Sequence, residues 1–425
     1  MLDESLLDAP DALARADARG LLRGAAGAGA RVRTGLRQAA DSGLTELRPD
    51  GRPRAVLVAG PGPVAACVAD LLGALGNGAA PVTALRPTGP LAAPGALSWS
   101  LPGWAGPLDL LLLVTPDGAE AGLSLLVEQA YRRGCTVVAV APPATPLGAA
   151  VGETRGLSVP LAPGPYDAYE TVEESLPAPL AHPEKPADGL GPGLAGLSGP
   201  PSEHELDIPA APAPRAPLPM APSTLWGLLT PLLVLTDRLG LVAADHAALS
   251  EVADRLDRVA ERCGPAVETF GNTAKTLAAE LAGALPLLWS EGAVAGAVAR
   301  HASTALTALA GRPALAAELP EAMTAHGALL KGTFSAGADP DDFFRDRVED
   351  PEALHVRVVL LREQGLTGDS ALVAARDLAY AHDAPLSELE ATEGSGPLET
   401  AAELIATTDF AAVYLALAGG ESSWA

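Results

Sequence analysis

The sequence predicts an α/β protein with two doubly wound parallel sheets flanked by helices. Three observations lead there. Short apolar runs alternate with helical stretches from residue 55 to 141, the same alternation returns from 284 to 417, and a Pro-rich segment separates them. Strands of a parallel sheet read as unbroken apolar runs because both faces are covered. Alternation of strands and helices over about 100 residues is the pattern of a sheet with helices on both sides.

Residues 3–41 read as one or two helices, with Leu6, Leu13, Leu21 and Leu22 at helical spacing among charges. Ala55–Ala59 is a first strand, followed by Gly60-Pro61-Gly62-Pro63 and a helix over 65–75. Residues 81–85 are a second strand, and LDLLLLV at 108–114 is a third. After TPDGAEAG comes a helix over 123–133, stopped by Gly134, and then a fourth strand, TVVAVA, at 136–141. From 160 to 222 the periodicity is lost: sixteen of those 63 residues are Pro, which removes backbone donors that regular structure needs. Residues 178–215 read as an extended or disordered linker. Helices are expected over 223–239, over 245–263 with Leu249, Val252, Leu256 and Val259 on one stripe, and over 272–281. A strand at 284–289, the turn SEGAVAG, a helix over 295–310, the strand VRVVLL at 356–361 and a last helix over 398–417 complete the reading. The expected organisation is N-terminal helices (1–48), a first α/β domain (49–160), a Pro-rich linker (161–222), and a helical connection with a second α/β domain (223–425).

The 28 Lys and Arg residues stand against 52 Asp and Glu, a net charge of −24. Nucleic acid is bound by basic clusters that displace counterions; none is present, and the same charge opposes an anionic membrane surface. The longest apolar run, 225–235, is about half the ~20 residues of a membrane span. Cys67, Cys135 and Cys263 are an odd, widely spaced set with no metal-ligand spacing, which fits a reducing cytoplasm. No metal and no cofactor is expected: the GPGP turn has Ala65 where GxGxxG needs its third Gly, and no GxxxxGK[ST] occurs.

Ligands of doubly wound sheets bind at the carboxyl ends of the strands. Three turns fall there: Gly60 and Gly62 after the first strand, Thr115 and Gly118 after the third, and Ser290 and Gly292 after the first strand of the second half. Each opens a helix and can offer N–H groups to a phosphate; each is equally read as a tight turn. Of the seven histidines, His326 and His355 lie near predicted strand ends with Glu321, Asp350 and Glu352 nearby, which makes them candidates for proton transfer. His182 and His204 fall in the linker, and His246 and His301 on helices, as surface or core-edge residues.

The segment FGNTAKTLAAELAGALPLLWSEGAVAGAVARHASTALTALAGRPALAAELPEAM resembles the sugar isomerase (SIS) fold, in particular the bifunctional phosphoglucose/phosphomannose isomerase family. Asn272, Lys275, Ala278, Gly292, Gly296 and Leu319-Pro320-Glu321 carry the resemblance, and VYLAL near Tyr414 is similar to that family's last helix. It extends over roughly 50–160 and 222–420 and implies two SIS-like domains, a sugar phosphate as ligand and a homodimer. It also implies a ring-opening histidine donated across the dimer, at the position of His355. Departures concentrate at the functional positions. The family's hydroxyl-rich phosphate loop is Val114-Thr115-Pro116-Asp117-Gly118 here, the glutamate after Asn-His-Asn is missing around His326-Gly327, and no Lys follows Lys331. Glu321 is left as the candidate base, with His326 or His355 as acid. The expected function is therefore a glucose- or mannose-6-phosphate isomerase-like protein with degenerate motifs, or alternatively a non-catalytic sugar-phosphate-binding regulator or scaffold.

Overall fold

A computed structural model describes residues 3–89, 96–162, 221–331, 355–364 and 370–419. Of the expected linker, residues 163–220, which include 178–215, His182 and His204, lie outside the described residues.

Four helices open the chain where one or two were expected: α1 (Glu4–Leu7), α2 (Pro10–Ala16), α3 (Leu21–Ala26) and α4 (Ala28–Asp41). Asp3 caps the first, and the glycines at 20 and 27 divide the later ones. The first sheet runs through β1 (Ala55–Ala59), α5 (Val64–Leu75), β2 (Val82–Leu85), β3 (Asp109–Val114), α6 (Ala121–Arg133), β4 (Thr136–Ala141), α7 (Pro146–Glu153) and β5 (Leu157–Pro160). Helices α8 (Thr224–Arg238), α9 (His246–Arg262) and α10 (Thr273–Leu281) lead into the second sheet. Its elements are β6 (Ala284–Glu291), α11 (Ala293–Ala310), β7 (Leu315–Glu318), α12 (Glu321–Ala325), α13 (Gly327–Lys331), β8 (His355–Arg362), α14 (Leu372–Ala381), β9 (Leu386–Glu390) and α15 (Pro397–Ala418).

Both sheets are parallel throughout, in the orders β2-β1-β3-β4-β5 and β7-β6-β8-β9. The order reverses between β1 and β3 in the first and between β6 and β8 in the second. Crevices open at such reversals, at the carboxyl ends of the strands.

Alternate residues of each strand enter different cores. Val56, Val58, Leu110 and Leu112 face one core; Leu57, Ala59, Leu111 and Leu113 face another, against α6 and α7. In the second sheet Leu288, Val359 and Leu361 face the first of these cores, while Leu287, Trp289 and Val358 face a third. One continuous core thus lies between the two sheets and holds α4, α5, α8, α9, α11 and α15. Small side chains let these helices approach closely: a Cβ on Gly35 would lie 2.9 Å from Thr230 of α8. Helix α15 is long and apolar enough to cross a membrane, contrary to the sequence expectation for any run, yet 89% of its apolar window is buried within the chain. It is a core helix packed on α9, α10 and α11.

The Asn272 and Lys275 pair that carried the resemblance is structural. Asn272 accepts from the Ala274 and Lys275 N–H groups and caps α10. Lys275 is fully buried, donates to the Pro265 and Val267 carbonyls at 2.9 and 2.7 Å, and lies over the Tyr414 ring.

Candidate functional site

The three expected turns all sit at carboxyl ends of strands, but their chemistry differs. Thr115 is fully buried, and its Oγ1 accepts from the Gly118 N–H at 2.9 Å and donates to Asp117. The Asp117 carboxylate in turn accepts from the Ala119 N–H at 3.1 Å. Donors that would cradle a phosphate are thus engaged by the turn's own side chains. Gly118, at φ +64°, is pressed on Thr145, where a Cβ would come within 2.7 Å.

The turn of the second sheet is filled as well. Strand β6 continues through Glu291, so Ser290 is a fully buried strand residue whose Oγ donates to the Ala317 carbonyl, and not part of an open loop. Gly292, at φ +104°, opens α11. Glu363, the first residue after β8, places its carboxylate on that helix start: Oε1 accepts from the Val294 and Ala295 N–H groups at 2.5 and 3.0 Å. A Cβ on Gly292 would sit 2.3 Å from this oxygen, so the glycine makes room for the carboxylate. An internal anion therefore occupies the switch point of the second sheet. Sequence reasoning missed Glu363; its signal was a carboxylate directly after an apolar strand.

At the end of β1, Gly60 packs so closely on β3 that a Cβ would meet the Val114 carbonyl oxygen at 2.0 Å. Gly62 turns the chain at φ +69° into α5, which has no side-chain cap. Among the described residues, the N–H groups of Val64, Ala65 and Ala66 meet no acceptor. This turn borders a cavity of about 760 Å³ between the two halves of the chain. The exposed Arg86 after β2, Ser223 at the start of α8, and Arg300 and His301 of α11 border it too. Arg300 spans the halves, 2.7 Å from both Asp70 of α5 and Glu318 of β7.

Glu321, His326 and His355 are not brought together within one chain. Glu321 is exposed at the start of α12. His326 is buried, its Nδ1 accepting from Trp289 Nε1–H at 2.9 Å. Burial pulls its pKa below the usual 6.5, so it is a neutral core histidine at neutral pH. His355 begins β8 beside Ala284, at the amino end of the sheet. At ~3.3 Å per residue it lies about 23 Å along the strand from Arg362 at the carboxyl end.

His301, expected at a surface or core edge, is instead buried at the centre of the molecule. Its Nε2 lies 2.8 Å from Asp409 Oδ1 of α15, and its Nδ1 lies 3.4 Å from Cys67 Sγ of α5. Burial opposes a charged ring, but Asp409 and Cys67 outweigh it and hold the imidazole pKa well above 6.5. All three residues border the 760 Å³ cavity. Their sequence signal was faint: single polar residues within the apolar stretches VAACVADLL and FAAVYLALAG or beside them. Among the described residues, no three His, Cys, Asp or Glu side chains are arranged to hold a metal ion.

Residues 270–421 match the family described as the bacterial phospho-glucose isomerase C-terminal SIS domain. Solved structures resemble most of the chain in fold. A hypothetical protein from Thermus thermophilus aligns at TM-score 0.54 and 12% identity, over 97% of this chain and 89% of its own. A protein from Silicibacter pomeroyi, provisionally named a phosphosugar isomerase, aligns at 0.51 and 14%, over 92% and 95%. The C-terminal domain of glucosamine-fructose-6-phosphate aminotransferase from Francisella tularensis aligns at 0.51 and 9%, over 95% and 97%. No curated protein sequence matches the chain significantly. The two parallel sheets flanked by helices thus match the SIS phosphosugar isomerase fold, and residues 270–421 are similar to an SIS domain.

Proposed function

We propose that this protein binds a sugar phosphate in the cavity between its two SIS-like halves and has little or no aldose–ketose isomerase activity. One observation carries the reading. Of the three helix-opening turns, the two at Thr115 and Gly292 have turn donors taken by Thr115, Asp117 and Glu363, whereas the start of α5 has no side-chain cap and its Val64, Ala65 and Ala66 N–H groups border the cavity beside Arg86. Backbone donors at a helix start plus one guanidinium are suited to a phosphate monoester.

Isomerisation needs more: a base at the sugar carbon and an acid for the ring oxygen, both within hydrogen-bond reach. The distances above leave Glu321 and His355 apart in one chain, and His326 is committed to Trp289. A second reading, active glucose- or mannose-6-phosphate isomerase, is favoured by the SIS domain match and by Glu321 following β7 at the carboxyl edge. It requires the homodimer, with His355 reaching the partner's site. The protein is taken as a cytoplasmic homodimer in both readings.

Titration calorimetry with glucose 6-phosphate and mannose 6-phosphate, alongside a coupled isomerase assay, separates the two. Binding that Arg86→Ala weakens, with turnover lowered by at least the 10²–10⁴-fold that general base catalysis supplies, is the expected result. Robust turnover abolished by Glu321→Gln would overturn it.

A further inference from the structure

The Cys67, His301 and Asp409 cluster borders the same cavity but is not among the phosphate-binding groups named above, and its geometry is not that of an ordinary core contact. Three helices from both halves of the chain deliver one thiol, one imidazole and one carboxylate in a line, at 3.4 and 2.8 Å. The two ring nitrogens are used on opposite sides, as in a nucleophile–base–orienter arrangement, and the thiol borders the large cavity.

We propose that Cys67 is the nucleophile of a reversible covalent site in this cavity, taking the carbonyl carbon of a small aldehyde, the open-chain form of an aldose included. His301 Nε2–H donates to Asp409, which fixes the ring and stabilises its cation. Nδ1 is left to exchange one proton with the Cys67 sulfur. As Sγ forms its bond to the carbonyl carbon, the C=O π pair moves to oxygen, and Nδ1–H returns the proton there. The product is a hemithioacetal; nothing is oxidised or reduced and no group leaves. Asp409 acts through the imidazole and is a positioning residue. The proposal shares the cavity of the sugar-phosphate reading but needs no phosphate.

The other two cysteines are built-in controls. Cys135 is 7% exposed against 8% for Cys67, so overall burial does not separate them, and Cys263 is deeper at 2%. Burial pushes the thiols of Cys135 and Cys263 up, and the described contacts place no histidine on either. A nucleophilic thiol reacts as its thiolate, which a neighbouring imidazolium favours.

Iodoacetamide labelling of the full chain, read cysteine by cysteine in a mass spectrometer, tests this. Cys67 is expected to label at least ~10-fold faster than Cys135 and Cys263, below the 10²–10⁴-fold typical of a positioned acid–base partner. Glycolaldehyde should slow that labelling reversibly, and ethylene glycol, its reduced form, should not. His301→Gln should bring Cys67 to the rate of the other two, and Asp409→Asn should do so in part. Unfolding of either variant would reveal itself as fast labelling of all three; the wild-type comparison then decides. Labelling of wild-type Cys67 no faster than Cys135, or fast labelling that glycolaldehyde leaves unchanged, overturns the proposal. Calorimetric binding of glucose 6-phosphate with an inert Cys67 would sink the thiol site and leave the sugar-phosphate reading standing; a reactive, aldehyde-protected Cys67 without such binding would do the reverse.

Discussion

Removing the Glu363 carboxylate should destabilise the protein and uncover an anion site. Glu363 Oε1 satisfies two N–H groups at the start of α11, an 18-residue helix in the central core. Loss of a side-chain helix cap costs about 1 kcal/mol, and loss of a negative charge at a helix start about 0.5 kcal/mol more. Glu363→Ala is therefore expected to lose about 1.5 kcal/mol. Glu363→Gln, which keeps an acceptor oxygen, should lose only the charge contribution, about 0.5 kcal/mol. Urea denaturation followed by circular dichroism gives both values from the shift in midpoint at constant slope. The vacated turn in Glu363→Ala then has room for an oxyanion. If inorganic phosphate binds there with a Kd of ~1 mM, 100 mM phosphate returns about 2.7 kcal/mol by mass action. The wild-type chain, whose turn is already filled, should gain only the general stabilisation that phosphate gives any fold. A midpoint for Glu363→Ala equal to wild type would mean that the carboxylate does not hold α11. An equal phosphate response in both proteins would mean that the turn is not an anion site even when emptied.

Two histidines should shape the pH dependence of stability in opposite directions. His301 keeps its proton in the fold above the pH at which the unfolded chain releases it, so its contribution is full below about pH 6.5 and is lost as pH rises toward the folded value, at up to about 1.4 kcal/mol per unit. His326 is held neutral by burial, so its contribution is present above about pH 6.5 and is lost as pH falls below it. Urea midpoints between pH 5 and 9 should lose their alkaline decline in His301→Gln; an unchanged decline refutes the assignment. His326→Ala should cost about 2 kcal/mol, because Trp289 Nε1–H is left buried without an acceptor. A loss below ~0.5 kcal/mol would show that water replaces the ring at Trp289.

The interior of each sheet was legible because it is the part with the strongest periodic signal. The runs read at 55–59, 108–114, 136–141, 284–289 and 356–361 became the central strands β1, β3, β4, β6 and β8, since residues covered on both faces must be apolar throughout. The edges were not. Strands β7 (LAAE) and β9 (LSELE) are short, half-exposed and mixed in polarity, as sheet edges tend to be. The short α7, α12 and α13 offered too few turns for a period to register. The three strand-end turns were found at the right places, but sequence could show only that glycines and hydroxyls were there, not what fills them. Glu363 is 69 residues from Val294, and its role exists only because β6 and β8 are neighbours in a parallel register. The Cys67, His301 and Asp409 cluster is more remote still, with 234 residues between thiol and ring and 108 between ring and carboxylate. No spacing rule joins them, and each sits on a helix whose apolar residues are explained by packing. The cost of burying a charged group gives the only local clue. Asp409 within TTDFAAVYLALA has no reason to enter a core unless a partner waits there, and a mid-chain histidine on an equally apolar helix is the residue able to meet it. A carboxylate buried in a core helix therefore predicts a cationic or proton-sharing partner on a facing helix: in α15, Glu403 meets Arg255 and Arg262 of α9, and Asp409 meets His301 of α11, which carries the thiol with it.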